Sequence, residues 1–214
     1  MKKLIVLFTV MLVCIISSAY ALDRDAFLTA AFNEIDTTFR QAGNDPYPLA
    51  ENVPYSEWFR DEYYKSGWNK IKGDLKGSTY MEDYPKNTEW CAIFVSWCAN
   101  QAGISTDEIP FEANVNAMKQ WYTNKNRFAE PYVYEPKPGD LIFFHNGEEY
   151  RHVGIVWNVD KTIKAPYTDR YKIHISTLEG DYFAGDGKSR VGTRDFYRDD
   201  GVWDYSEIAG FGIN

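Results

Sequence analysis

The chain has 214 residues, with 31 acidic against 23 basic side chains, a formal net charge of −8, and 17% aromatic residues. An acidic chain with no Lys/Arg stripe argues against nucleic acid as a partner and against adsorption to anionic lipid. The rings suit a β-rich core, and they suit stacking on carbohydrate or peptide equally well.

Lys2 and Lys3 are followed by an apolar run from Leu4 to Ile16 and by Ala19-Tyr20-Ala21, a small-residue cleavage site. This is the pattern of a secretory signal peptide over residues 1–21. The run is shorter than the roughly 20 residues that cross a bilayer. Cys14 follows Leu12-Val13 rather than small residues and is expected to be discarded with the leader. The expected mature chain starts near Leu22 with a net charge of −10, since only Lys2 and Lys3 are lost as charges. It is large enough for one domain with a proper core. It is expected to be secreted, extracellular or wall-associated, with no membrane attachment after cleavage.

Asp25 to Gln41 reads as an amphipathic helix, with Phe27, Ala30, Ala31, Ile35 and Phe39 on one side. Asn44-Asp45-Pro46 and Pro48 break it. Residues 49–75 carry rings at mixed spacing and read as short helices capping the core. Residues 76–88 read as a loop in which Asn87 or Thr88 could N-cap a buried helix. That helix starts at Glu89 or Trp90, runs to about Ala102 and ends at Gly103. The second half changes character. Pro136 to Asp140 is a turn, Leu141 to Phe144 a short strand, and Asn146-Gly147 a hairpin signal. Further strands are expected at His152 to Trp157, Tyr171 to Leu178 and Ile208 to Ile213. Helices followed by an antiparallel meander define an α+β fold. Residues 22–80 form an aromatic-rich helical part of the same globular unit as residues 81–214.

Two cysteines remain in the mature chain, Cys91 and Cys98. Seven positions apart on a helix they stand about 10 Å apart along the axis, whereas a disulfide needs Cα atoms within about 7 Å. Both are therefore expected as free thiols, and a free thiol in an oxidising compartment needs a reason. Cys91 falls at the first turn of the helix, where unpaired N–H groups and the helix dipole favour a thiolate and can receive an oxyanion. A buried structural thiol is the competing reading, and Cys98, two turns further in, is assigned to it. A base is needed, and the chain has His145, His152 and His174. His145 sits at a hairpin tip. His152 opens a strand in which Gly154 would let another chain or a substrate approach closely. Glu179 and Asp181 flank Gly180 and are expected to share one strand face. By the same parity Glu179 lies opposite His174, which makes His174 an unsuitable partner for it. H-E-x-x-H, C-x-x-C, EF-hand, P-loop and G-x-S-x-G patterns are all missing. Glu82-Asp83 is better read as a solvated loop than as a cation site.

Taken together, four segments resemble the CHAP family of cysteine, histidine-dependent amidohydrolases and peptidases. They are Glu89 to Cys98, Pro138 to Phe144, Arg151 to Val156, and Thr177 to Asp181, with Ile208 to Gly212 as a closing match. The resemblance implies a papain-like fold and hydrolysis of amides in bacterial peptidoglycan, at the N-acetylmuramoyl–L-alanine bond or within the peptide. It implies Cys91 as nucleophile, His152 as general base and Glu179 as the residue that orients it. Asp181 stands where the family often has Asn. Trp90, beside the nucleophile, is a candidate substrate contact. No cofactor is implied, and the calcium site of some members is not carried over. The expected partner is peptidoglycan or a muropeptide. The competing classes are a wall-binding protein without turnover, an NlpC-type peptidase, and an amidase of small molecules. The Trp90-Cys91-Ala92 context speaks against the NlpC type.

Overall fold

The computed structural model describes residues 22–40, 53–65, 89–147, 149–163, 171–183, 188–199 and 201–214. The expected leader, the 76–88 loop and both proposed capping residues lie outside them.

Helix α1 spans Arg24–Phe32, with the Asp23 side chain accepting from the Ala26 amide at 2.9 Å. It ends well before Gln41, which corrects the longer helix expected from the apolar spacing. Residues 33–36 turn instead, with Asp36 at φ 68°. Strand β1, Thr38–Arg40, then pairs antiparallel with a later strand, and Asp36 and Val191 donate to Val191 and Thr37 carbonyls at 3.2 and 3.0 Å. A β-branched and aromatic run beside an open sheet edge outweighs a helical periodicity carried by few residues. Helix α2 is Pro54–Lys65.

Helix α3, Cys91–Gln101, is apolar on nearly every side, with eight of its eleven residues buried. It ends at Ala102, and Gly103 takes φ 69°, as a C′ glycine should. Helix α4, Val115–Asn124, is capped by Asn114 accepting from Ala117 at 3.0 Å. Its buried Val115, Met118 and Tyr122 form a helical stripe.

The remaining strands are β2 (Phe128–Ala129), β3 (Leu141–His145), β4 (Tyr150–Ile163), β5 (Tyr171–Phe183), β6 (Lys188–Asp199), β7 (Val202–Trp203) and β8 (Ile208–Gly212). They form an antiparallel sheet in the order β1-β6-β5-β4-β3-β8-β2, with β7 on β6. The α+β expectation is met: helices come first, and β3 to β6 are a meander of sequence neighbours. Strand alternation splits the apolar residues between two cores. Phe143, Val153, Ile155, Leu178 and Val191 pack with Phe27 of α1, Tyr55 and Phe59 of α2, and α3. Ile142, Phe144, Val156, Ile175, Phe196 and Phe211 build a second core. The N-terminal helices thus share the larger core with the sheet.

Candidate active site

Cys91 is the first residue of α3, is 2% exposed, and is unbridged, as is Cys98. Trp90 holds the N-cap position but offers no side-chain cap. Its own N–H donates to Asp181 Oδ2 at 3.1 Å, and Ser189 Oγ donates to Asp181 Oδ1 at 2.6 Å. Asp181 therefore ties the start of the cysteine helix to β5 and β6. It reaches that place through a β-bulge. Glu179 opposes Gly192 and Tyr182 opposes Arg190, so β5 carries one extra residue, and Asp181 adopts φ 59°. Gly180 in the bulge has no room for a side chain: a Cβ there would sit 2.4 Å from Phe94 Cβ.

His152 lies on β4 opposite Phe144 of β3, with their rings 5.7 Å apart. Its Nε2 is 2.8 Å from Glu179 Oε2. That leaves Nδ1 as the ring nitrogen available to Cys91, whose charge the imidazole feels. Glu179 is 0% exposed and fully engaged. Thr177 Oγ1 donates to Oε1 at 2.5 Å, and Arg194 of β6 clamps both oxygens, with Nε at 3.0 and 2.9 Å and Nη2 at 2.7 Å. The Arg194 guanidinium lies 4.6 Å from the centre of the Phe144 ring and 5.1 Å from that of Phe196. Gly154 clears the space for this carboxylate: a Cβ there would fall 2.7 Å from Glu179 Cγ.

The charges follow from this packing. Burial works against the Glu179 charge, but His152 and Arg194 outweigh it and hold the carboxyl down at about 2. Burial would also lower the His152 pKa, but Cys91 and Glu179 outweigh it and raise the imidazole to about 10. Cys98 differs: burial, and then the Glu34 charge, push its thiol well up.

Cys91, His152 and Glu179 therefore come together in the order expected for a nucleophile, base and orienting carboxylate. Asp181 does not share a face with Glu179, because the bulge turns it to the Trp90 amide instead. Trp90 is a correction too. It is 0% exposed, stacked on Tyr55 at 5.3 Å and edge-on to Phe94, so it is a core residue out of a substrate's reach. His174 points elsewhere, to Asp195 Oδ1 at 3.0 Å. Arg194 was not anticipated. Its partner is visible only in the strand register that sets Thr177 against Arg194. Among the described residues no cluster of three or more His, Cys, Asp or Glu side chains could hold a metal ion.

The family model described as CHAP domain matches residues 82–167. This segment matches the CHAP domain, a family of amidohydrolases and peptidases with a papain-like α+β fold, and the fold described above is of that class. No curated protein and no solved structure matches the chain. The matched stretch holds Cys91 and His152 and stops short of Glu179 and Arg194, so the case for those two rests on the geometry above.

Proposed function

We propose that this protein is a secreted cysteine amidohydrolase that cuts amide bonds in bacterial peptidoglycan through a thioester on Cys91. The observation that carries the reading is the imidazole of His152, anchored at Nε2 by a buried, doubly clamped carboxylate and electrostatically coupled to a thiol at a helix start. Glu179 fixes the tautomer, so Nδ1 takes the thiol proton and a thiolate–imidazolium pair results. The thiolate attacks the amide carbonyl. The first-turn amides of α3 lie ahead of the helical ladder, whose first bond is Phe94 N–H to Trp90 O at 2.8 Å; they supply donors for the oxyanion. His152 returns the proton to the departing nitrogen as the C–N bond breaks. Water, deprotonated by the same imidazole, then cleaves the thioester to a carboxylate and restores the thiol. The signal-peptide pattern at the N-terminus and the family's usual substrate support a site of action outside the cell, at the wall.

The test is digestion of intact peptidoglycan by the purified mature chain, with the new ends identified by mass spectrometry. Wild type is expected to release new amines and carboxylates, and Cys91→Ala to release none. Equal inertness of both on walls of several chemotypes would sink the hydrolase and favour a wall-binding role.

A further inference from the structure

The clamp on Glu179 is itself a long, flexible side chain. Arg194 is 24% exposed, and a guanidinium at that depth is drawn by water as well as by the carboxylate. Four rings stand around it. Its Cζ lies 4.6 Å from the centre of the Phe144 ring, 5.1 Å from that of Phe196, 5.6 Å from that of Tyr205 and 6.0 Å from that of Tyr182. These are distances at which a ring face attracts a cation. Ring faces also suit the task because they draw the charge without offering a carboxylate or carbonyl that would compete with Glu179 for the N–H groups.

Three of the rings come with the sheet: Phe144 from β3, Tyr182 from β5 and Phe196 from β6. Phe144 and Phe196 are 2% and 4% exposed and fill the second core whatever the site does. Tyr205 differs. It is half-buried and sits on the turn between β7 and β8. That turn is pinned on both flanks. The Asp204 amide donates to the Tyr197 carbonyl at 2.8 Å, the Tyr197 amide donates to Asp204 Oδ1 at 2.9 Å, and the His145 amide donates to the Glu207 carbonyl at 2.9 Å. The Tyr205 ring then lies 5.5 Å from Phe196 and edge-on to Phe144 at 6.0 Å. Its hydroxyl donates to the exposed Glu207, at 3.0 Å from Oε2. Backbone pairing thus fixes one partly exposed ring against the arginine.

We propose that Tyr205 is a positioning residue: its ring closes the box around Arg194, keeps that guanidinium on Glu179, and so keeps the carboxylate on His152. The proposal rests on the Cys91–His152 pairing of the reading above and adds to it a residue from the β7–β8 turn. Without the ring, Arg194 gains freedom, Glu179 is no longer fixed at Nε2, and the imidazolium that accompanies a Cys91 thiolate loses its support.

The experiment measures alkylation of Cys91 by iodoacetamide in the intact mature chain at about pH 6, well below the ordinary thiol range, a readout that needs thiolate but no turnover. Cys98, followed in the same sample, reports whether the core stays closed. Tyr205→Ala is expected to slow Cys91 about tenfold or more, and Tyr205→Phe, which keeps the ring, to stay near wild type. Tyr205→Leu fills the space without a ring face and is expected to be slow with Cys98 still protected. In a Glu179→Gln background Tyr205→Ala should change nothing further, because the carboxylate it serves is gone. An undiminished rate in Tyr205→Ala and Tyr205→Leu, an equal loss in Tyr205→Phe, or a full further loss on top of Glu179→Gln overturns the proposal. So does a wild-type chain whose Cys91 does not label at this pH. The wall digest separates the two readings. Tyr205-dependent labelling in a chain inert on every wall keeps the positioning role and removes the hydrolase. Wall cleavage at the wild-type rate by folded Tyr205→Ala keeps the hydrolase and removes the positioning role.

Discussion

The chemistry is concentrated in one carboxylate. Glu179 is held at about 2 against an ordinary 4.5. A group depressed in this way stabilises the fold above its unfolded pKa, and the contribution is lost as pH falls from 4.5 toward 2. At 1.36 kcal/mol per pKa unit it is on the order of 3 kcal/mol. His152 carries the opposite sign. Raised from 6.5 to about 10, its contribution is complete below 6.5 and is lost as pH rises through about 10. Glu179→Gln should therefore flatten the acid limb of a thermal-melt series. The same variant should draw the alkaline limb of kcat/KM down by about one unit or more, because a nearby carboxylate supports the imidazolium. An unmoved alkaline limb would remove Glu179 as the orienting group. Gly154→Ala probes position alone. Its Cβ would displace Glu179 from 2.7 Å, and a fall in kcat of roughly ten- to a hundredfold in a folded protein is expected. Arg194→Ala leaves a 0% exposed carboxylate without its clamp, which should cost about 3–5 kcal/mol by urea denaturation. Combining it with Glu179→Gln should recover part of that loss, as a double-mutant cycle would show.

At the scale of elements, the cysteine helix was legible and its anchor was not. The apolar run through Val95 and the Gly103 stop announced α3 within a residue or two. The segment Glu179-Gly180-Asp181 reads equally as strand or acidic turn, and only pairing with β6 shows the bulge that separates the two carboxylates. Strand β6 itself hides because Lys188–Asp199 interleaves charges with its apolar positions, and one of those charges, Arg194, is what the site needs. The contacts of Asp181 suit either an Asp or the Asn that the resemblance implies at this position. Both of its oxygens accept, from the Trp90 amide and the Ser189 hydroxyl. An Asn could accept the amide and donate to the hydroxyl, which rotates to suit. Asp181→Asn should thus be nearly neutral in a melt, whereas Asp181→Ala should lose about 1–2 kcal/mol, as other lost helix caps do.

For the whole molecule, the helical N-terminal part and the sheet share a core, so the thiols report on folding as well as on chemistry. Cys91 is expected to alkylate in the native protein, while Cys98, 0% exposed and with its ionisation suppressed by burial, should label only above the urea midpoint. Native labelling of both at equal rates would contradict this. The site draws one group each from α3, β4, β5 and β6, strung along the chain from position 91 to position 194. Pairings so distant in sequence form late. An emerging or truncated chain that has passed its cysteine, and even its histidine, still lacks the clamp that holds the carboxylate. A hydrolase arranged in this way would stay chemically silent during its own synthesis and become active only when its last long strands are in place.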